Sequence, residues 1–237
     1  MPKVLILQNI EREGPGLFET TLLSANIPYD VINLDSDQQL PPIDSYSALV
    51  VLGGPDSAND TTDKITKELA YISSALKTGK PYLGICLGLQ LLVKASGGKV
   101  VPASIKEVGF IGPDSKQHAV TITQEGKSDP LLTSMSEDVD VFQLHGETVE
   151  LTPTMTVLAT GKFCKNQIIK VSEKTYGIQP HFELNPEMLD IWAIQDPDLL
   201  PIGNDQLQQD FAAIQTSYTQ TGIKLFTNFL DLAGLTK

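Results

Sequence analysis

An open, mostly parallel α/β sheet with helices on both faces is the fold this sequence predicts, and three observations predict it. Apolar runs alternate with helical stretches through the first hundred residues. The runs KVLILQ and ALVVL lack the period-2 alternation of a half-exposed strand, so both of their faces must be covered. A third run, PYLGI, passes directly through Cys86 into the helical stretch LGLQLLVKA, a strand-to-helix junction typical of parallel sheets.

Taken in order, residues 3–8 form a buried strand, 15–25 a helix and 29–34 a second strand. Residues 48–52 make a third strand that stops at Gly53-Gly54-Pro55, and residues 60–76 an amphipathic helix capped by Asp60. The strand leading to Cys86 follows, with a helix behind it. From Gly98 to Gln179 the pattern changes to alternating strand-like segments at 118–123, 139–144, 156–159, 167–171 and 175–179, expected to extend or cap the sheet as antiparallel strands. Residues 9–16 and 103–118 read as loops. After Pro186 come helical stretches at 187–194, 205–218 and 223–232, the first two separated by DPDLLPIGND. The division expected is a catalytic domain over residues 1–185 and a helical extension over 186–237 packed on it.

Composition excludes several classes of function. The net charge is −12 and Arg12 is the one arginine, so a phosphate-reading surface of guanidinium forks cannot be built and nucleic acid is not an expected partner. No stretch approaches the ~18 apolar residues of a membrane span, and the N-terminal run is too short for a signal peptide. A cytoplasmic protein without membrane contact is the expectation. Two cysteines, Cys86 and Cys164, make no disulfide framework and no zinc spacing, so neither metal nor cofactor is expected.

The chemistry points to Cys86. A side chain at the tip of a sharp strand-to-helix turn needs small neighbours two residues away on each side, and Gly84 and Gly88 supply them. The N–H groups opening the next helix then favour thiolate. A free thiol ionises near pH 8.5, roughly, so an effective nucleophile needs a base. Of three histidines, His118 follows a charged loop and reads as a surface residue; His145, in FQLHGE, suits a pocket or a turn equally. His181, in GIQPHFE, ends an apolar strand two residues before Glu183. On extended backbone those two side chains share a side, so Glu183 can orient His181 toward a thiol. Acyl transfer also needs N–H donors for the oxyanion. Leu87, next after the nucleophile, offers one, and the Gly53-Gly54-Pro55 turn offers a second. Cys164 lacks an elbow and reads as a strand-edge or loop residue, and Trp192 as a helix packing residue.

GGPDS at 53–57, GICLGLQLL at 84–92, HGE at 145–147 and GIQPHFE at 177–183 resemble, in order and spacing, the class I glutamine amidotransferases, in the manner of a stand-alone GMP-synthase-like amidotransferase domain. The resemblance covers roughly residues 3–185 and implies a flavodoxin-like sheet. It implies release of ammonia from the glutamine side chain through a cysteinyl thioester, for use by an acceptor or synthase protein. Cys86 would be nucleophile, His181 base and acid, and Glu183 orienter. Gly54 and Leu87 would form the oxyanion hole. Gln90 and the backbone around Gly146 and Glu147 would hold the glutamine head group, with Gly53 and His145 beside them. The usual Phe-His-Pro-Glu order is changed here, since Pro180 precedes the histidine and Phe182 follows it. A γ-glutamyl peptide or amide hydrolase or transferase with the same triad is the main alternative, its leaving group expected to face the loops at 9–16 and 103–118, and a non-catalytic partner-binding subunit is a further one.

Overall fold

The computed structural model describes residues 2–36 and 38–236. Its first half follows the expected order: β1 (Val4–Gln8), α1 (Gly16–Ser24), β2 (Tyr29–Asn33), β3 (Ala48–Val51), α2 (Asp63–Lys77), β4 (Tyr82–Ile85) and α3 (Leu87–Ala95). The second half contains β5 (Lys99–Gly109), β6 (Ala119–Ile122), α4 (Gln124–Lys127), β7 (Asp138–Asp140), β8 (Gln143–Glu150), β9 (Thr156–Gly161), β10 (Ile168–Ser172), β11 (Thr175–Ile178), α5 (Pro186–Gln195) and α6 (Asn204–Leu232).

Nine strands form one sheet in the order β2-β1-β3-β4-β11-β10-β9-β6-β7. The pairings from β2 to β11 are parallel, which is the flavodoxin-like order with β11 as fifth strand. From β10 onward every pairing is antiparallel. β11 is the junction, and Ile178 at its end lies beside Ile85, one residue before the cysteine. The central strands are buried on both faces. Val4 and Ile6 pack toward α1, α5 and α6, together with Phe18, Trp192 and Phe226. Leu5 and Leu7 pack toward α2 and α3, with Ile65, Ile72 and Leu89. This two-sided burial is why the strands carry no alternation.

Several boundaries differ from the sequence expectation. α2 begins at Asp63 because Thr62 is its cap, accepting from the Ile65 N–H at 3.3 Å, while the Asp60 carboxylate is used by the preceding turn and accepts from Ser57 N–H at 2.9 Å. The segment 139–144 is two strands. The chain leaves β7, crosses at Val141 and Phe142, and enters β8, which pairs with β5 in a separate two-stranded ribbon. Much of the stretch expected as a loop at 103–118 is therefore strand. The helical stretches at 205–218 and 223–232 are one helix, α6, which runs through Gly222 because that glycine lies against the Phe182 carbonyl, 2.5 Å from where a Cβ would sit. No helix among the described residues is long and apolar enough to cross a membrane.

A buried polar group lies beneath the Gly53-Gly54 turn. Asn9, just past β1, donates to the Leu52 carbonyl at 3.2 Å and to Glu68 of α2 at 3.1 Å. Burial raises the Glu68 carboxyl from 4.5 to about 7, against the opposing pull of Asn9 and Lys64. Between those two values the folded state holds a proton that the unfolded chain has released, so stability falls as pH rises from about 4.5 to about 7. Glu68→Gln is expected to remove about 3 kcal/mol of that fall. Unfolding in denaturant at both pH values measures it, and equal losses in variant and parent would exclude Glu68 as the source.

Candidate active site

Cys86 has φ 50° and ψ −106°, a left-handed conformation that costs a non-glycine residue on the order of 1–3 kcal/mol. The turn is held by Cys86 N–H donating to the Ile178 carbonyl at 2.8 Å and by Gln90 N–H donating back to the Cys86 carbonyl at 3.1 Å. A Cβ on Gly84 would collide with the Gly88 carbonyl, and one on Gly88 with the Val51 carbonyl. The two glycines thus let α3 press against β3 and β4, as the elbow requires.

His181 follows β11 by three residues, on a segment anchored at several points. Its N–H donates to the Phe142 carbonyl at 3.0 Å, its carbonyl accepts from the Tyr218 hydroxyl of α6, and the Glu183 carbonyl accepts from Leu17 N–H at 2.8 Å. Glu183 meets the ring from a turn over 182–183 and not from extended backbone, since the strand has already ended at Ile178. The i, i+2 spacing still serves: His181 Nδ1 lies 2.6 Å from Glu183 Oε1, with both side chains fully buried. Trp192 packs its edge on the ring with centroids 5.0 Å apart and donates its indole N–H to the Arg12 carbonyl, so it is more than a helix packing residue. Burial pulls the imidazole down, but Glu183 and Cys86 together outweigh it and hold His181 well above its ordinary value. Nε2 is left without a hydrogen-bond partner.

Cys86 and His181 open into a cavity of about 290 Å³. Gly54, Gln90, Gly146 and Glu147 also line it. Among the described residues, neither Gly54 nor Leu87 gives its N–H to a backbone acceptor outside the helices and strands, and Leu87, in the first turn of α3, has no intrahelical acceptor either. Gly53 sits where a Cβ would meet Glu13, His181 and Cys86 at once, and Gly54 where it would press on Asn9 and Leu87. Gln90 donates to the Glu147 carbonyl at 3.4 Å, and the Glu147 carboxylate accepts from Ser57 Oγ at 2.8 Å.

His145 borders the cavity, but its ring faces away from it: Nδ1 lies 2.9 Å from the Glu147 carbonyl, and Nε2, without a hydrogen-bond partner, lies 3.2 Å from Glu107. Glu107 pairs across the β5–β8 ribbon with His145, accepts from Gln167 at 3.1 Å and faces His118 at 3.5 Å. His118 is therefore buried in this carboxylate-centred group and is not the surface residue its local sequence suggested. Burial lowers its imidazole, opposed by Glu107. Cys164 is buried nearby, with its Sγ 3.1 Å from Thr148 Oγ1, and burial raises its thiol. Among the described residues, Glu107, His145 and Cys164 bring one donor atom each to within 4.8 Å of one another and could hold a metal. Their hydrogen bonds to Gln167 and Thr148 already serve to fix β8 behind the cavity.

One side of the cavity was expected from the sequence only as the loops at 9–16 and 103–118, with no site residue named in them, and its part at 196–198 was not expected at all. Arg12 and Glu13 from the β1–α1 loop, Lys106 from β5, and Asp196, Pro197 and Asp198 after α5 form that wall. Arg12 Nη2 pairs with Asp196 at 2.8 Å, and Lys106 with Asp198 at 2.5 Å. No local pattern marks these residues, which come together from three separate segments of the chain.

The model of the family described as glutamine amidotransferase class-I matches residues 17–195. A glutamine amidotransferase-like protein, YfeJ, of Salmonella typhimurium is 31% identical over 159 residues, covering 65% of this chain and 64% of that protein. A gamma-glutamyl-L-1-hydroxyisopropylamide hydrolase of a Pseudomonas species is 26% identical over 61% of this chain and 49% of its own length. The chain thus spans between half and two thirds of these curated relatives. A solved glutamine amidotransferase structure from Thermotoga maritima superposes with a TM-score of 0.86 at 25% identity, over 97% of this chain and 98% of that one.

Proposed function

The chain belongs to the class-I glutamine amidotransferase family, and from that premise we propose that it hydrolyses the side-chain amide of glutamine, releasing ammonia through a thioester on Cys86. The observation that carries the reading is the convergence of Cys86, His181 and Glu183 at one end of the parallel sheet, with His181 Nε2 free of other partners and its Nδ1 held by Glu183.

In this mechanism the Cys86 thiolate adds to the γ-carbonyl carbon, and the oxyanion takes hydrogen bonds from Gly54 and Leu87 N–H. The carbonyl re-forms as the C–N bond breaks, its electron pair leaving with nitrogen, which takes the proton from His181. Water then gives a proton to His181 and attacks the thioester, releasing glutamate. Gln90, Gly146 and Glu147 hold the amino-acid end of the substrate, with the backbone of His145 completing that side, while Gly53 lies under the reacting centre beside Cys86 and His181. Ammonia passes to a separate acceptor or synthase protein.

A second reading, hydrolysis of γ-glutamyl amides bearing a larger amine, is favoured by the charged wall of Arg12, Glu13 and Asp196, and by the Pseudomonas relative. Ammonia release from glutamine, measured beside ethylamine release from γ-glutamyl ethylamide, separates the two readings by their kcat/KM ratio. A chloroketone analogue of glutamine is expected to add one label per chain at Cys86, and labelling at Cys164 instead would sink the assignment.

A further inference from the structure

Glu13 is a buried carboxyl that the mechanism above leaves unused. It comes from the loop between β1 and α1 and is 4% exposed, that exposure being toward the cavity it shares with Cys86 and His181. The place a Cβ on Gly53 would occupy is overlapped by Glu13 Oε2 and lies 2.8 Å from His181 Cε1 and 3.5 Å from Cys86 Cβ. Three reactive side chains therefore meet over one glycine. Among the described residues the Glu13 side chain makes no hydrogen bond within the protein; its nearest cation, Arg12 Nη2, is 3.9 Å away and paired more closely with Asp196. A buried carboxyl without a partner is costly, and a ligand group that supplies donors relieves that cost.

The chemistry of the site shows which donors are needed. As the C–N bond breaks, the nitrogen receives a proton from His181 and leaves carrying N–H groups, on the imidazole side of the thioester. The amino-acid end of the substrate faces the opposite wall, at Gln90 and Glu147.

We propose that Glu13 is a specificity-determining residue that accepts a hydrogen bond from the N–H of the departing nitrogen, so that the site favours γ-glutamyl amides over substrates whose leaving atom carries no hydrogen. This rests on the γ-glutamyl reading above and deepens it. It assigns the wall of Glu13, Arg12 and Asp196 to the leaving group. The ionised form of Glu13 is the working form. Burial raises its carboxyl from 4.5 to about 7, with His181 and Arg12 pulling it down and Glu183 and Asp196 pushing it up. Amide turnover accordingly increases with pH through a step near 7.

The test compares γ-glutamyl ethylamide, whose leaving atom bears one hydrogen, with γ-glutamyl methyl ester, whose leaving oxygen bears none. Glu13→Leu is expected to lower kcat/KM on the amide about 30-fold, as for loss of a hydrogen bond to a charged group, and on the ester less than about 3-fold. Glu13→Gln keeps an acceptor oxygen in nearly the same volume. It should retain more of the amide activity than Glu13→Leu and abolish the step near pH 7 on the amide. Equal losses on both substrates would show a structural role and overturn the proposal, as would unchanged amide turnover in both variants or persistence of the pH step in Glu13→Gln. Wild-type protein inert toward glutamine and both γ-glutamyl compounds would overturn the γ-glutamyl reading itself, and the role of Glu13 with it.

Discussion

Cys86→Ala is expected to lower kcat/KM on a γ-glutamyl substrate by about 10⁴-fold or more, since no other group on the cavity wall can form the thioester. Cys86→Ser should fall nearly as far. The imidazole takes the proton of a thiol far more readily than that of a hydroxyl, whose pKa is much higher, and the variant also lacks the Cys86 sulfur that helps hold His181 above its ordinary value. A stability measurement sharpens the test. Alanine keeps a Cβ at φ 50° and inherits the strained backbone, whereas Cys86→Gly releases it. The glycine variant should therefore be inactive and more stable by about 1 kcal/mol, after allowance for the greater freedom of its unfolded chain. Turnover retained in Cys86→Ala would end the catalytic reading. A glycine variant less stable than the alanine variant would show that the turn stores no strain.

Gly88→Ala is expected to cost more than about 4 kcal/mol, enough to abolish soluble expression in a domain of ordinary stability. The new methyl would collide with the backbone carbonyl of Val51 in the centre of the sheet, where no flexible side chain can yield. To make room, α3 would have to lift off β3, carrying Leu89, Leu91 and Leu92 out of the core. Gly79→Ala is a suitable control: nothing lies within 4 Å of its Cβ position, and its φ of 69° alone sets the cost. Denaturant midpoints for both variants measure the difference. A Gly88→Ala protein as stable as the control would refute the close packing at the elbow.

What the sequence revealed, and what it withheld, follows from the range of the interactions involved. The parallel strands were legible because two-sided burial removes alternation within a few residues, as in Val4–Leu7. The elbow was legible because its steric demand falls on residues two positions away. β5 was not: it runs KVVPASIKEVG, with a proline and charges on a ribbon that stays largely exposed, so no local signal separates it from a loop. The continuity of α6 was hidden for the opposite reason. Gly222 reads locally as a break, but its lack of a side chain is required by the Phe182 carbonyl forty residues earlier. At the site, His181 and Glu183 were found together because they are near neighbours in sequence. Glu13, Asp196 and the Glu107–His118–His145 group were not, since each is assembled from segments far apart in the chain and no periodicity records such a meeting.

The segment carrying His181 and Glu183 has one further tie, and it comes from outside the cavity. Tyr218 of α6 donates to the His181 carbonyl, and Gly222 lets the same helix rest on the Phe182 carbonyl. None of the cavity-lining residues belongs to α6, and the family model ends at residue 195, before that helix begins. Within this frame, two properties have separate anchors. On the proposed mechanism the choice of leaving group belongs to the wall at residues 12–13 and 196–198, while the imidazole is aimed from behind by a helix that contributes no residue to that cavity wall. Inherited changes on the buried face of α6 would thus retune the speed of the reaction and leave its choice of substrate intact.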